Sequence, residues 1–259
     1  MRKALALALV ALAGCGGGSE DARTPPASGA ASIVDPKGSL PLVNSLEVEP
    51  GTGKLLVTTN SGFFRVDPKG GDPERIRGVV TAKERSVPVG GFLEILPVGP
   101  TALLGSGHPD RGGALPEFLG VMRSEDGGQT WSVIARLGEA DLHRMVMKGG
   151  RLYAFDAVLG AVLVSGDGGR TFEERVAPPE PMVELEVDPG DPRRMLLASE
   201  RTTFRSEDGG DSWRPVGRVE GEPARMKALD ARHLYVVLET GAILESGDGA
   251  KSWKPVYQP

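Results

Sequence analysis

The sequence predicts an all-β fold, a β-propeller of four-stranded antiparallel blades. An eight-residue pattern, Ser-x-Asp-Gly-Gly/Ala-x-Ser/Thr followed by an aromatic residue, begins at Ser124, Ser165, Ser206 and Ser246, a period of about 41 residues that is typical of stacked supersecondary units. Short apolar, β-prone runs precede each copy. The 37 glycines and 21 prolines suit a domain of many short strands joined by turns.

Each octet predicts a rigid hairpin turn. Its glycines accept positive φ, and its Asp and Ser side chains can bond to nearby backbone amides. The aromatic residue begins the outgoing strand, and we expect it to pack on the neighbouring blade because one sheet cannot bury both of its faces alone. The residues assigned to this structural role are Ser124, Asp126, Gly128, Trp131, Ser165, Asp167, Gly169, Phe172, Ser206, Asp208, Gly210, Trp213, Ser246, Asp248 and Trp253.

The apolar runs predict five blades, with inner strands near Leu46, Leu93, Met145, Leu185 and Lys227. A degenerate copy of the repeat unit, Gly62 to Asp67, occupies the first blade without the octet. A sixth blade would require separate strands between residues 72 and 91. No exchange of terminal strands is evident, so the sequence leaves ring closure open.

The octets resemble the Asp-box, or BNR repeat, of sialidases, sortilin-like receptors and photosystem-assembly propellers. Ala250 departs from the usual glycine of the motif, which suggests an altered turn in the last copy. The resemblance implies that the box lies between the third and fourth strands of a blade, on the rim away from the ligand. Asp126, Asp167, Asp208 and Asp248 are therefore expected to be structural and not catalytic.

The first 41 residues predict export and tethering. Residues 1–14 form a signal peptide whose apolar run is too short to span a bilayer. Leu12-Ala13-Gly14-Cys15 resembles the bacterial lipobox, which implies that Cys15 carries a lipid anchor. Residues 15–41 are predicted to form a flexible linker, and residues 42–259 the propeller. The expected location is the bacterial cell envelope, on the outer side of the cytoplasmic membrane or in the periplasm.

The formal net charge of −5 makes nucleic acid an unsuitable partner, and the short basic clusters suit solvated loops. We expect no cofactor and no metal, because no recognised ligand spacing is present. Glu47, Glu94 and Glu186 share one predicted column near the axis. Mutual repulsion could raise their carboxyl pKa values, and alternate solvent-facing positions explain them equally well. The oligomeric state is not indicated.

The ligand should lie on the rim opposite the boxes, where the largest loop runs from Gly105 to Phe118. Its Gly-x-Gly-His-Pro segment resembles one in bacterial BNR proteins named glycosyl hydrolases or sialidases. His108 and His143 should approach each other there, in neighbouring blades. The candidates for the ligand face are His108, Asp110, Arg111, His143 and Arg201, with Glu117, Glu200 and Arg225 as further charged loop residues.

Two functions fit this sequence. The preferred one is a membrane-tethered recognition or assembly module for a protein, peptide or glycan. The alternative is a sialidase-like glycoside hydrolase using Asp110 or Glu117 with a second carboxylate. The resemblance to sialidases implies a tyrosine nucleophile and an arginine triad, but Tyr153 and Tyr235 lie within predicted strands and Tyr257 near the C-terminus. Enzymatic activity is therefore the less favoured interpretation.

Overall fold

The structure, a computed structural model, describes residues 43–59, 62–110, 114–176 and 180–259. This part of the chain contains twenty-one strands and no helix, and its strands form five sheets that follow one another along the sequence. The all-β prediction and the propeller arrangement are confirmed. The predicted leader, Cys15 and the linker lie outside the described residues.

Four sheets are antiparallel blades of four strands in chain order. The first comprises β1 (Val43–Val48), β2 (Leu55–Thr59), β3 (Gly62–Val66) and β4 (Glu74–Ile76). The third comprises β10 (Leu142–Lys148), β11 (Arg151–Asp156), β12 (Ala161–Ser165) and β13 (Glu173–Arg175). The fourth comprises β14 (Met182–Val187), β15 (Met195–Ser199), β16 (Thr202–Ser206) and β17 (Arg214–Arg218). The fifth comprises β18 (Pro223–Ala228), β19 (Leu234–Leu238), β20 (Ile243–Ser246) and β21 (Lys254–Tyr257).

The second sheet differs from the predicted four-stranded blade. Its strands are β5 (Val79–Ala82), β6 (Arg85–Pro97), β7 (Leu103–Pro109), β8 (Val121–Ser124) and β9 (Thr130–Ala135). The thirteen-residue β6 extends the inner strand backwards into a hairpin with β5. Because β5 also pairs in parallel with the outer strand β9, the sheet closes on itself. Residues 79–91 thus enlarge the second blade and do not begin another.

Neighbouring blades are joined by apolar clusters, and each octet supplies its aromatic residue to one of them. Trp131 of the second blade packs with Leu56 and Phe63 of the first. Phe172 lies against the cluster between the second and third blades, Trp213 against that between the third and fourth, and Trp253 against that between the fourth and fifth. The aromatic of each octet therefore contacts the preceding blade.

The two ends of the blades are distinct, and we call them the box rim and the loop rim. At the box rim, three of the four octet turns are bonded to the turn between the first and second strands, as in Gly209 N to Arg193 O at 2.8 Å and Gly249 N to Arg232 O at 2.9 Å. At the loop rim, the turns between second and third strands meet the connections between blades, as in Val219 N to Arg201 O at 3.1 Å.

The four octet turns share one hydrogen-bond pattern. In the third copy, Ser206 Oγ donates to Asp208 Oδ1 at 2.8 Å and accepts from Gly210 N at 2.8 Å. Asp208 also accepts from the backbone and hydroxyl of Ser212, at 2.9 and 2.5 Å. The Ser212 hydroxyl and amide hold the pKa of Asp208 low, at about 2. The three hydrogen bonds that this carboxylate accepts all come from its own turn.

The alanine in the last octet does not alter its turn, contrary to expectation. Ala250 adopts φ 67°, the left-handed conformation that glycine occupies in the other copies, and its amide donates to Ser246 Oγ at 2.9 Å. The left-handed conformation costs a residue with a Cβ roughly 1–2 kcal/mol. The Ala250 methyl group offsets part of this cost because it is fully buried in the cluster between the fourth and fifth blades.

The junction between the fifth and first blades is the least covered of the ring. No apolar cluster of described residues spans it, whereas one spans each of the other four junctions. Leu46 and Val48 of β1 remain 53% and 58% exposed, although Ile95 at the position equivalent to Leu46 is fully buried. The first blade has no octet, so no octet aromatic enters this interface.

Truncating the octet aromatics should destabilise the protein in proportion to their burial. Trp131 is 1% exposed, its ring lies 5.2 Å from that of Phe92, and its indole nitrogen donates to Gly128 O at 2.8 Å. We expect Trp131→Ala to lower the free energy of unfolding by roughly 3–5 kcal/mol, and the partly exposed Trp213→Ala to lower it by less. Denaturant unfolding of both variants measures this, and equal losses would contradict the packing.

Candidate functional site

A groove opens on the loop rim between the first blade and the β5–β6 hairpin. Its volume is about 490 Å³. The floor contains the buried rings of Phe63 and Phe92, whose centroids are 5.3 Å apart. Arg77 and Asp110 contribute charge to the walls. The groove therefore combines an apolar floor with polar groups, which is the usual composition of a ligand site.

Glycines shape one wall of this groove. A Cβ on Gly90 would lie 2.6 Å from the Cα of Asp110, so the backbone segments approach there more closely than a side chain permits. A Cβ on the adjacent Gly91 would meet no atom within 4 Å and would point into open space. Backbone contacts hold this wall at Gly90, and the lining residue Gly91 next to it has open space around its Cα. Asp110 is a ligand-face candidate from the sequence that lines this groove, whereas the rest of the groove was not expected because its hairpin was not predicted.

The structure brings His108 and His143 together around Asp141. His143 Nε2 donates to Asp141 Oδ2 at 3.0 Å, and His108 Nε2 lies 3.7 Å from Asp141 Oδ1. His108 Nδ1 donates to the carbonyl oxygen of Glu117 at 2.9 Å. The predicted proximity of the two histidines is thus found, with a carboxylate between them. These contacts hold the loop after β7 against the third blade.

The other candidates are spread over the loop rim. Asp110 follows β7, Glu117 is exposed in the next loop, and Glu200 and Arg201 lie exposed in the turn between β15 and β16. Arg111 lies outside the described residues. Among those that are described, no group of three or more His, Cys, Asp or Glu side chains could hold a metal ion. The candidates do not form one compact constellation.

A bulge near the start of every inner strand sets which side chains face the axis. The register shifts immediately before Ser45, Glu94, Arg144, Glu184 and Arg225. A bulge reverses the facing of the residues that follow it, so these five residues occupy equivalent places around the ring. The predicted column of Glu47, Glu94 and Glu186 is therefore wrong. Glu94 belongs to the bulge column, and the other two lie two positions further along their strands.

The five bulge residues form a chain of polar contacts around the axis. Ser45 Oγ donates to Glu94 Oε1 at 2.8 Å. Arg144 lies between two glutamates, with Nη1 3.4 Å from Glu94 Oε2 and Nε 2.7 Å from Glu184 Oε1. Arg225 continues the chain, with Nη1 3.9 Å from Glu184 Oε2 and Nη2 donating to the backbone oxygen of Asn44 in the first blade. This last contact bridges the sparsely covered junction.

Burial is the largest single influence on the pKa values of these groups. It raises the pKa of the fully buried Glu94 to about 7, although Arg144 and Arg225 oppose the shift. Burial would lower the pKa of Arg144, but Glu184 and Glu94 hold it above its ordinary value. Burial also raises the pKa of Glu186, against the effect of Lys227 and Arg144. Desolvation, and not the predicted repulsion between carboxylates, is thus the main cause.

The axial cluster closes the centre of the ring and is not itself an open site. Glu94, Glu184 and Glu186 are each at most 1% exposed, and an arginine already occupies the space among them. Buried charges of this kind are retained only when they are paired, because isolated ones are strongly disfavoured. The accessible chemistry of the loop rim is therefore that of the groove and the His108–Asp141–His143 cluster.

The ring of sheets and the packing between them define the protein as a β-propeller. No known protein-family profile matches the chain. It is similar to the dispase autolysis-inducing protein of Streptomyces mobaraensis, with 31% identity over 104 residues. The match covers 40% of this chain and 27% of that protein. Nothing in the described residues forms a helix able to cross a membrane.

Solved structures support the same fold. A GH74 enzyme from Niastella koreensis superposes with a TM-score of 0.57 at 18% identity, covering 81% of this chain and 37% of that one. YCF48 bound to D1 peptide superposes with a TM-score of 0.56 at 13% identity, covering 87% of this chain and 69% of that one. At these identities the likeness establishes the fold alone.

Removing the ionisable group at the axis should change how stability depends on pH. The unfolded state releases the Glu94 proton near pH 4.5, whereas the folded state retains it to about pH 7. A raised carboxyl pKa therefore makes stability fall as pH rises between these values, by roughly 3–4 kcal/mol for this group. Denaturant unfolding of Glu94→Gln should show a shallower decline between pH 5 and pH 8 than the unsubstituted protein.

The exposed Glu139→Gln variant is the matched control and should retain the original slope. An unchanged slope in Glu94→Gln would mean that Glu94 titrates near its ordinary pKa in the folded protein.

Proposed function

We propose that this protein is a membrane-tethered recognition or assembly module whose loop-rim groove binds a peptide or glycan. The observation that carries the proposal is the groove of about 490 Å³ beside the β5–β6 hairpin. It combines a buried aromatic floor with the guanidinium of Arg77, which has no ion-pair partner among the described residues. Such a surface offers both apolar contact and a directional donor to a ligand.

Rigidity of the groove favours recognition. The hairpin that forms one wall is bonded on both sides, to β9 in parallel and to β7 in antiparallel fashion. Val89 N also donates to Gly78 O at 2.9 Å, which continues the β5–β6 pairing beyond Val79. A preformed site loses little conformational entropy on binding, so even a modest contact area can give useful affinity.

The tether and the boxes belong to the same proposal. We assign the four octets as Asp-boxes, because their side chains are used to hold their own turns at the rim opposite the groove. We assign Cys15 as the lipidated residue from its lipobox-like sequence. Acyl chains contribute about 0.8 kcal/mol per buried methylene, so two or three of them would give lasting attachment. The linker would hold the propeller away from the lipid.

The structural neighbours are compatible with binding and with hydrolysis. One is described as bound to a peptide and another as an enzyme. The groove favours binding, because its described lining contains Asp110 as the single carboxylate, whereas the usual glycosidase mechanism needs two. Glu94, the carboxyl group with the most clearly raised pKa, is fully buried and cannot contact a substrate. A sialidase-like hydrolase therefore remains the second candidate.

Filling the groove should abolish binding. Gly91→Trp places an indole where a Cβ would meet no atom within 4 Å, at a residue without positive φ. Peptide and glycan arrays probed with the purified full-length protein should give ligands whose affinity falls at least tenfold in this variant. Gly247→Trp is the matched control, since Gly247 is equally open but lies in an octet at the box rim.

Three outcomes decide the proposal. Selective loss in Gly91→Trp supports it when both variants melt near the temperature of the unsubstituted protein. Equal binding by both variants places recognition elsewhere and rejects the groove. Release of product from sialosides or aryl glycosides by the unsubstituted protein, lost in Asp110→Asn, would favour the hydrolase instead.

A further inference from the structure

A second groove lies on the box rim, between the third and fourth blades. Its volume is about 270 Å³. Three arginines, Arg151, Arg175 and Arg193, line it together with Tyr153. Contact between the two blades bounds the groove, because a Cβ on Gly149 would lie 3.0 Å from Pro192 of the next blade. It is separate from the loop-rim groove and independent of the function proposed for it.

Tyr153 presents an unsatisfied hydroxyl group to this groove. The residue is 3% exposed, and its ring packs among Val146, Val164 and Leu185. No described residue forms a hydrogen bond with the hydroxyl, and its oxygen is not among the fully enclosed, unpaired atoms of the described residues, so it is open to the groove. Burial raises the pKa of Tyr153, while Arg151 and Arg175, which line the same groove, act to lower it. The phenol is therefore an unpaired donor in a groove that three guanidinium groups line.

The arginines retain unused donors. Arg151 begins β11, is exposed, and makes no ion pair with a described residue. Arg175 holds Asp211 and Glu173 through its terminal nitrogens, at 2.8 and 2.6 Å, but its buried Nε has no hydrogen-bond partner among the described residues. The Arg175 Nε is enclosed by protein, so the guanidinium that an acceptor in the groove could reach and pair with is that of Arg151.

Carboxylates around the groove determine which ligand can enter. Asp208 is committed to its own turn. Asp211 and Glu173 are 61% and 70% exposed, so their pairs with Arg175 are weak and screened by salt. Arg193 is similarly paired at the surface with Asp191. A ligand must compete with these groups, and a divalent anion competes better than a monovalent one.

We propose that this groove binds a divalent oxyanion, the phosphate or sulfate group of a small molecule or glycan. The Arg151 guanidinium supplies a planar pair of donors, which suits the oxygens of such a group. The Tyr153 hydroxyl supplies a further donor from the groove wall. The bound anion would accept a hydrogen bond from this hydroxyl and connect the third blade to the fourth.

Calorimetric titration of the full-length protein with inorganic phosphate and inorganic sulfate tests the proposal. Both should bind at one site at constant ionic strength, and acetate, a monovalent carboxylate, should bind more weakly. Tyr153→Phe removes only the hydroxyl and should weaken binding roughly 5–10-fold. Arg151→Ala should weaken it at least tenfold. A preference between phosphate and sulfate distinguishes the two sources of the group.

Arg218→Ala is the matched control, because Arg218 is exposed at the loop rim and has no ion pair with a described residue. Its affinity should equal that of the unsubstituted protein. Equal weakening in Arg218→Ala and Arg151→Ala would show general charge attraction and reject the site. Unchanged affinity in Tyr153→Phe, or no binding of either divalent anion by the unsubstituted protein, would also overturn the proposal.

Discussion

The packing of one sheet against the next is the interaction on which this structure depends. A four-stranded sheet of about 40 residues has two apolar faces and can cover neither by itself, so every blade is stable only as part of the ring. The octet aromatics cover these faces at four junctions, and the hydrogen-bonded turns before them determine where each aromatic side chain packs. The same turn in each octet thus produces the same packing between neighbouring blades.

The axis is held by a different kind of interaction. A guanidinium, Arg144, stands between glutamates from two neighbouring blades, and a second, Arg225, reaches the first blade. Buried ion pairs add little net stability but penalise misalignment heavily, since a displaced partner leaves an unpaired charge in a dry environment. The apolar clusters supply the attraction between blades, and we infer that the axial cluster selects their relative register.

The sequence allows features that repeat to be predicted, but it does not allow the prediction of features that occur once. The octets predict the turns and the contact of Trp131, Trp213 and Trp253 with neighbouring blades, because spacing and residue type are the same in each copy. The bulges have no residue signature, so the sequence places Glu94 in the wrong column. The β5–β6 hairpin is not predicted because its second strand continues into an inner strand without a break. Apart from Asp110, the groove is missed with it, whereas the expected approach of His108 and His143 is found around Asp141.

The direction in which the aromatics point has a consequence for biosynthesis. Each one is carried by the later blade and fills the interface with the blade before it. A chain leaving the ribosome therefore completes every such interface as soon as the next repeat emerges, and none of the four waits for a distant segment. Only the contact between the last sheet and the first must wait for the C-terminus, and this contact has the least apolar packing.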